Sequence, residues 1–498
     1  MSLDVRGGAG GVTARFQDMQ SFADVLDDAG DGVRGWADDT AAVAFDDSVL
    51  AATLLCPAEV AAVEVAVGVA SLSLVTVSTG FEASAVVIRL SVETYVFLDE
   101  AKRAAFEALH QAGGFALGLA LPGIVVVGGV ALLANPALTA TLVASIAANP
   151  EGALAAVQQT LFDNPWLTEE LTQALPWMVQ GTAFSLSAVL GPAGLFLPGL
   201  LSGGQWPTTD YEDAVAGLVT LGGHGGAFLD EGDFRVVEAD TDLAFAPRSV
   251  EDIFLQQGEL TRGDHSNDGQ IQVVRVGGPP PSWIVQVPGT QEWSPTRTDN
   301  PVDLTTNVHL MAGDQTVLQA QIDAAMQAAG VDPGDPVMLT GHSQGGIAAA
   351  TMAADPAFTS RYNVTSVVTA GSPIARIDIP DTVSVLSLEH NEDVVPMLEG
   401  RENPDRPNWV TVESDAGAIV ETRDLTEAHG TRTYAGTGEL VDQSDDPSLV
   451  AWREQNAGFF TGEAEPLRFQ IEPVGPGSGS GAGGSGSTGS APRLGGGR

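Results

Sequence analysis

At 498 residues the chain is too long for one ordinary domain, so two or three are expected. Its 64 acidic and 21 basic residues give a formal net charge of −43. That balance argues against nucleic acid as a partner, which needs clustered Lys and Arg, and the single cysteine, Cys56, rules out an intrachain disulfide.

Met1 to Gly8 lacks the basic-then-apolar pattern of a secretory signal peptide, so export by the general secretory route is not expected. Residues 12–200 are rich in Ala, Val and Leu and read mostly as helix. Ser21–Asp28 and Lys102–His110 carry amphipathic helical spacing. Leu50–Val75 reads as a further long helix, and Ala83–Phe97 is ambiguous between helix and strand. Residues 111–150 and 171–209 contain no charged side chain. Each holds an apolar run of 20 residues, Phe115–Ala134 and Thr182–Leu201. Such a run spans ~30 Å as a helix, about a bilayer core. Two readings stand for residues 111–209: contact with a membrane through inserted hairpins, or an Ala/Gly-rich buried core or cover over an active site. The expected division is a mostly helical domain over 1–205 and an acidic transition region over 206–268.

From Gln270 the pattern changes to alternating strands and helices. Ile271–Val276 and Trp283–Val287 read as strands around a Gly-Gly-Pro-Pro-Pro turn. Gln315–Ala329 reads as a helix, Pro336–Thr340 as a buried strand and Gly346–Ala354 as a small-residue helix. Thr365–Thr369 and Val383–Leu388 are two more strands. This predicts an α/β domain over 269–472 with a doubly wound, mainly parallel sheet, whose ligands sit at the carboxyl ends of strands. Residues 473–498 are Gly/Ser-rich and read as a disordered tail.

Gly341-His342-Ser343-Gln344-Gly345 joins the buried strand to the small-residue helix. It fits the G-x-S-x-G nucleophile elbow of α/β-hydrolases, which requires that strand–turn–helix order. Glycines at 341 and 345 remove the Cβ atoms that would clash in so tight a turn. A neutral serine hydroxyl needs a base. Only His390 and His429 follow the elbow. The order Ser, Asp, His then assigns Ser343 as nucleophile, His429 as general base and acid, and Asp393 as the residue that orients His429. Glu392 and Asp424 are the alternative acids, and His342 reads as packing beside the elbow. The oxyanion hole is expected from the Gln344 backbone N–H and from Thr290, just past the strand Trp283–Val287.

Several segments resemble the class 3 (fungal-type) lipase family, in order over about residues 270–440. Val285–Thr290 is similar to its oxyanion strand end, with Pro288 in place of the usual arginine. Val308-His309, Gly341–Gly346, Thr369–Pro373, Asn391–Pro396 and His429 follow. The resemblance implies hydrolysis of a carboxylic ester through an acyl-enzyme, with no metal and no cofactor; Gln344, where lipases often carry Leu, leaves a small ester, a lipid ester and a thioester open as substrate, the lipid ester being preferred. It also implies a lid after the oxyanion strand, for which Ser294–Thr306 is the candidate, though this segment is polar. Gly35-Trp36 followed by Tyr95–Asp99 resembles the Trp turn and Tyr-x-x-x-Asp signal of type VII secretion substrates, which implies non-classical export. The alternative function is a membrane-acting or secreted effector whose apolar N-terminal helices are primary.

Overall fold

The computed structural model describes residues 3–10, 12–52, most of 56–89, scattered positions from 162 to 180, and 193–474 apart from 230–231, 241–244, 262–264 and 421–423. Among these residues nine strands form one sheet. They are β1 (Asp4–Gly7), β2 (Phe234–Ala239), β3 (Gln270–Val276), β4 (Ser282–Val287), β5 (Pro336–His342), β6 (Asn363–Ala370), β7 (Ser384–His390), β8 (Trp409–Ser414) and β9 (Ala464–Pro473). Their spatial order is β1-β8-β7-β6-β5-β4-β3-β9-β2.

The fold is α/β with a mixed sheet. β4 to β8 are parallel, and the expected parallel character belongs to them. The flanks β1, β3, β9 and β2 pair antiparallel. The link Gly277–Pro281 between β3 and β4 is too short for a crossover, so those two strands must run antiparallel. Val337, Met338 and Leu339 of β5 are fully buried, as a central parallel strand covered on both faces requires.

Helices cover both faces. On one, Leu304–Met311, Val317–Ala329 and Gln344–Ala354 pack Leu310, Leu318, Ile322, Met326 and Ile347 onto Val285 and Leu339. On the other, Val250–Leu260, Thr431–Gln443 and Pro447–Asn456 pack Phe254, Tyr434 and Leu449 onto Ile284, Met338 and Leu386. The helix expected from Gln315 begins at Val317. Thr316 and Gln319 form a capping box there, which fixes the start.

Two expected boundaries move. The transition region over 206–268 carries the helices Tyr211–His224 and Val250–Leu260 and the strand β2, which pairs with β9, so it is part of the α/β unit. Residues 4–7, expected in the helical domain, form β1 against β8. Four residues without alternation carry no strand signal of their own; the partner strand decides the pairing.

The N-terminal helices described are Val12–Ala42, Asp47–Ala52 and Pro57–Thr79. Of the long helix expected over Leu50–Val75, the parts within Asp47–Ala52 and Pro57–Thr79 are helical, and residues 53–55 lie outside the described residues. Gly35-Trp36 lies inside the continuous helix Val12–Ala42, not at a turn. Tyr95, Lys102–His110, residues 111–150 and the tail beyond 474 lie outside the described residues. Within 171–209, Ala193–Leu201 is helical despite Pro198.

Candidate active site

The parallel strands bring their carboxyl ends together around Ser343. This residue follows β5 directly and caps the helix Gln344–Ala354 with φ 53° and ψ −122°, a conformation that L side chains rarely adopt. Its N–H bonds Ala370 O at the end of β6, at 2.9 Å. The flanking glycines are sterically required. A Cβ on Gly341 would overlap the Gly345 backbone, and one on Gly345 would overlap Val287 O at the end of β4.

His429 caps the short helix Leu425–Ala428 and is joined to Asp393, which follows β7. Its Nδ1–H donates to Asp393 Oδ2 at 2.7 Å, with side-chain exposures of 20% and 1%. Gly371, next to the Ala370 carbonyl that holds Ser343, faces this pair. A Cβ there would come within 2.9 Å of Asp393 Oδ2 and 3.0 Å of His429 Cε1. His429 Nε2 has no hydrogen-bond partner among the described residues, nor has Ser343 Oγ, so the serine–histidine contact is open here. Such contacts often tighten only when substrate binds.

Asp393 also accepts the Tyr434 hydroxyl at 2.7 Å and the Val395 N–H at 3.0 Å. Burial alone raises this carboxyl. Attraction to His429 and the hydrogen bonds from His429, Tyr434 and Val395 outweigh it and hold Asp393 below the ordinary carboxylate value. The alternative acids are engaged elsewhere. Glu392 accepts from Ala416 N, and Asp424 accepts from Thr426 N as a helix cap.

The first position of the helix after Ser343 is Gln344, whose N–H is one of the donors without an intrahelical acceptor. Its side chain is turned away and donates to Asp303 O at 2.5 Å. Across from it, the loop after β4 passes close to the serine, since a Cβ on Gly289 would lie 3.3 Å from Ser343 Cβ. Thr290 follows, and its Oγ1 accepts Asn307 Nδ2 at 2.7 Å. Thr290 therefore keeps its own hydroxyl proton for another acceptor. Thr290 and Gln344 thus stand on the two chain segments that border Ser343.

Ser294–Thr306, the lid candidate, is pinned at its base by Gln291 N to Val302 O and Leu304 N to Glu292 O, both 2.8 Å. It ends as the first turn of the helix Leu304–Met311. The chain after the helix Tyr211–His224 lies against it, with Phe228 N bonded to Pro295 O at 2.8 Å.

Three residues of this site were not assigned a role in the sequence: Tyr434, Gly371 and His390. Tyr434 follows His429 by five positions inside an amphipathic helix, so its buried hydroxyl reads as core. Gly371 was visible only as part of the Thr369–Pro373 motif.

Among the described residues no cluster of His, Cys, Asp or Glu has the geometry to hold a metal ion. Comparison with known proteins gave no match to a family model, to a curated protein or to a solved structure.

Proposed function

We propose that the chain is a serine hydrolase of α/β-hydrolase type that cleaves carboxylic esters through an acyl-enzyme. The observation that carries this reading is the meeting of a strained, glycine-flanked serine with a histidine bonded to a buried aspartate, at the carboxyl ends of parallel strands.

In this mechanism His429 Nε2 takes the Ser343 proton as Oγ attacks the ester carbonyl carbon. Asp393 holds the Nδ1–H tautomer and stabilises the imidazolium. The oxyanion is received by the Gln344 N–H and by Thr290, with the helix Gln344–Ala354 adding the partial positive charge of its N-terminus. The tetrahedral adduct collapses, and His429 gives its proton to the leaving alcohol. Water, deprotonated by the same nitrogen, then releases the acid and restores Ser343. The class 3 lipase resemblance favours a lipid ester, but the polar, pinned segment Ser294–Thr306 gives no support to interfacial opening there.

The test is hydrolysis of p-nitrophenyl esters from short to long acyl chains. Ser343→Ala should lower kcat/KM by at least about a thousandfold. A variant with full activity would sink the serine mechanism.

A second reading, a membrane-acting protein, is favoured by one observation. The helix Pro57–Thr79 has 23 residues and contains an 18-residue window with a mean hydropathy of 2.1, of which only 6% is buried. Val65, Val69 and Leu72 are exposed on it. At 1.5 Å per residue it matches a bilayer core of ~30 Å. Flotation with phosphatidylcholine vesicles should carry the full chain, and Val69→Asp with Leu72→Asp should release it. A chain that stays with the soluble fraction counts against this reading.

A further inference from the structure

We propose that His342 and His390 form an imidazole clamp that suspends the His429 loop and sets the position of its ring. The proposal rests on the hydrolase reading and adds two positioning residues to it.

The clamp grips consecutive carbonyls. His342 Nε2 lies 2.6 Å from His429 O, and His390 Nδ1 lies 2.6 Å from Ala428 O. A carbonyl only accepts, so each of these ring nitrogens carries a proton. The tautomers are therefore opposite, Nε2–H on His342 and Nδ1–H on His390. His390 Nε2 is then an acceptor and receives the Thr437 hydroxyl at 2.8 Å, and Thr437 Oγ1 accepts in turn from Ser414 Oγ at 2.9 Å.

The two grips come from the ends of two parallel strands, His342 from β5 and His390 from β7. Both strands are paired on either side within the sheet, and the loop they hold is not paired into it. Tyr434 ties both to the triad. Its ring stacks on His390 at 3.8 Å and 7°, lies 5.8 Å from the His342 ring, and its hydroxyl reaches Asp393. The His342 ring is also 4.5 Å from that of His429. His342 thereby spends its Nε2 on the loop, and His390 spends one nitrogen on the loop and the other on Thr437. A misplacement of about 1 Å in such a base costs on the order of a hundredfold in rate.

The donor, not the ring, is the predicted active part, so paired variants separate the two. His342→Gln keeps an N–H near the ε position, and His390→Asn keeps one near the δ position. His342→Phe and His390→Phe keep the volume and lose the donor. The Phe variants should lose about a hundredfold in kcat with KM unchanged within about twofold. The Gln and Asn variants should recover most of it. Thr437→Val, which removes the hydroxyl that fixes the His390 tautomer, should lower kcat several-fold and covers the case in which a Phe variant does not fold.

A readout without substrate separates this proposal from the hydrolase reading. The downfield proton NMR signal of His429 Nδ1–H on Asp393 should be sharp in the wild type and in the Gln and Asn variants, and broadened or lost in the Phe variants. A wild type that cleaves no ester but shows this pattern would fail the hydrolase reading and keep the clamp. Phe variants with wild-type kcat and an unchanged signal, or Gln and Asn variants no better than Phe, would overturn the clamp.

Discussion

At the scale of single residues, the site is crowded wherever a backbone passes it. Gly371 has φ 59°, and a methyl group there would meet both members of the Asp393–His429 pair. Gly371→Ala should therefore lower kcat strongly while the Ser343 elbow stays intact, which a fluorophosphonate probe on Ser343 would report as slowed but complete labelling. Tyr434→Phe removes one of two side-chain donors from a buried carboxylate. A hydrogen bond to a charged group contributes about 1.5–3 kcal/mol, so thermal unfolding of this variant should show a loss of that order. Its activity should fall less than that of Asp393→Asn, for which about ten-thousandfold is expected from the wrong histidine tautomer.

At the scale of elements, what was legible in the sequence followed from local signals. β3 to β7 and the helices Val317–Ala329 and Gln344–Ala354 carry continuous apolar runs, Gly/Pro punctuation or caps, and each lies within a few residues of where those signals put it, whereas the helices Val250–Leu260, Leu304–Met311, Thr431–Gln443 and Pro447–Asn456 were not read from the sequence. The candidate triad was legible because Ser343 has a motif and only two histidines follow it. The rest depended on tertiary context. β1, β2 and β9 lie at or next to the sheet edges and are defined by their partners. Tyr434 and His390 gain their roles from hydrogen bonds spanning 41 and 38 positions of sequence, which no local pattern encodes. The edge assignment is testable. Removing residues 1–10 strips β1 from β8 and bares a row of unpaired backbone groups, so the truncated chain should melt lower and aggregate on light scattering.

At the scale of the whole molecule, charge and burial act in opposite directions along the pH axis. Burial holds His342 and His390 neutral, with values pulled down to about 3 and about 4 from 6.5. Their contribution to stability is complete above pH 6.5 and is lost as pH falls towards those values, because only the unfolded chain binds the protons. Burial raises Glu389 to about 7 and Glu399 to about 8 from 4.5. Their contribution is complete below pH 4.5 and is lost as pH rises through 7 and 8. The two pairs offset each other between 4.5 and 6.5. Tm should therefore show a plateau in that window and decline on both sides, and Glu399→Gln should flatten the alkaline decline. A Tm that rises steadily from pH 5 to 8 would contradict this. The net charge of −43 adds self-repulsion, so raising NaCl from about 0.1 to about 1 M, which shortens the screening length from about 10 to about 3 Å, should raise Tm as well.

The pairing of β1 with β8 has a consequence for synthesis. Asp4 lies opposite Glu413, so β1 waits for more than four hundred further residues to be made before its partner exists. Loop closure over such a distance is slow and comes late. Ser343 emerges long before His429, and β3 stays open on one side until β9 is made. Any hydrolytic power of a growing chain is thus held back until His429 and β9 have both been made.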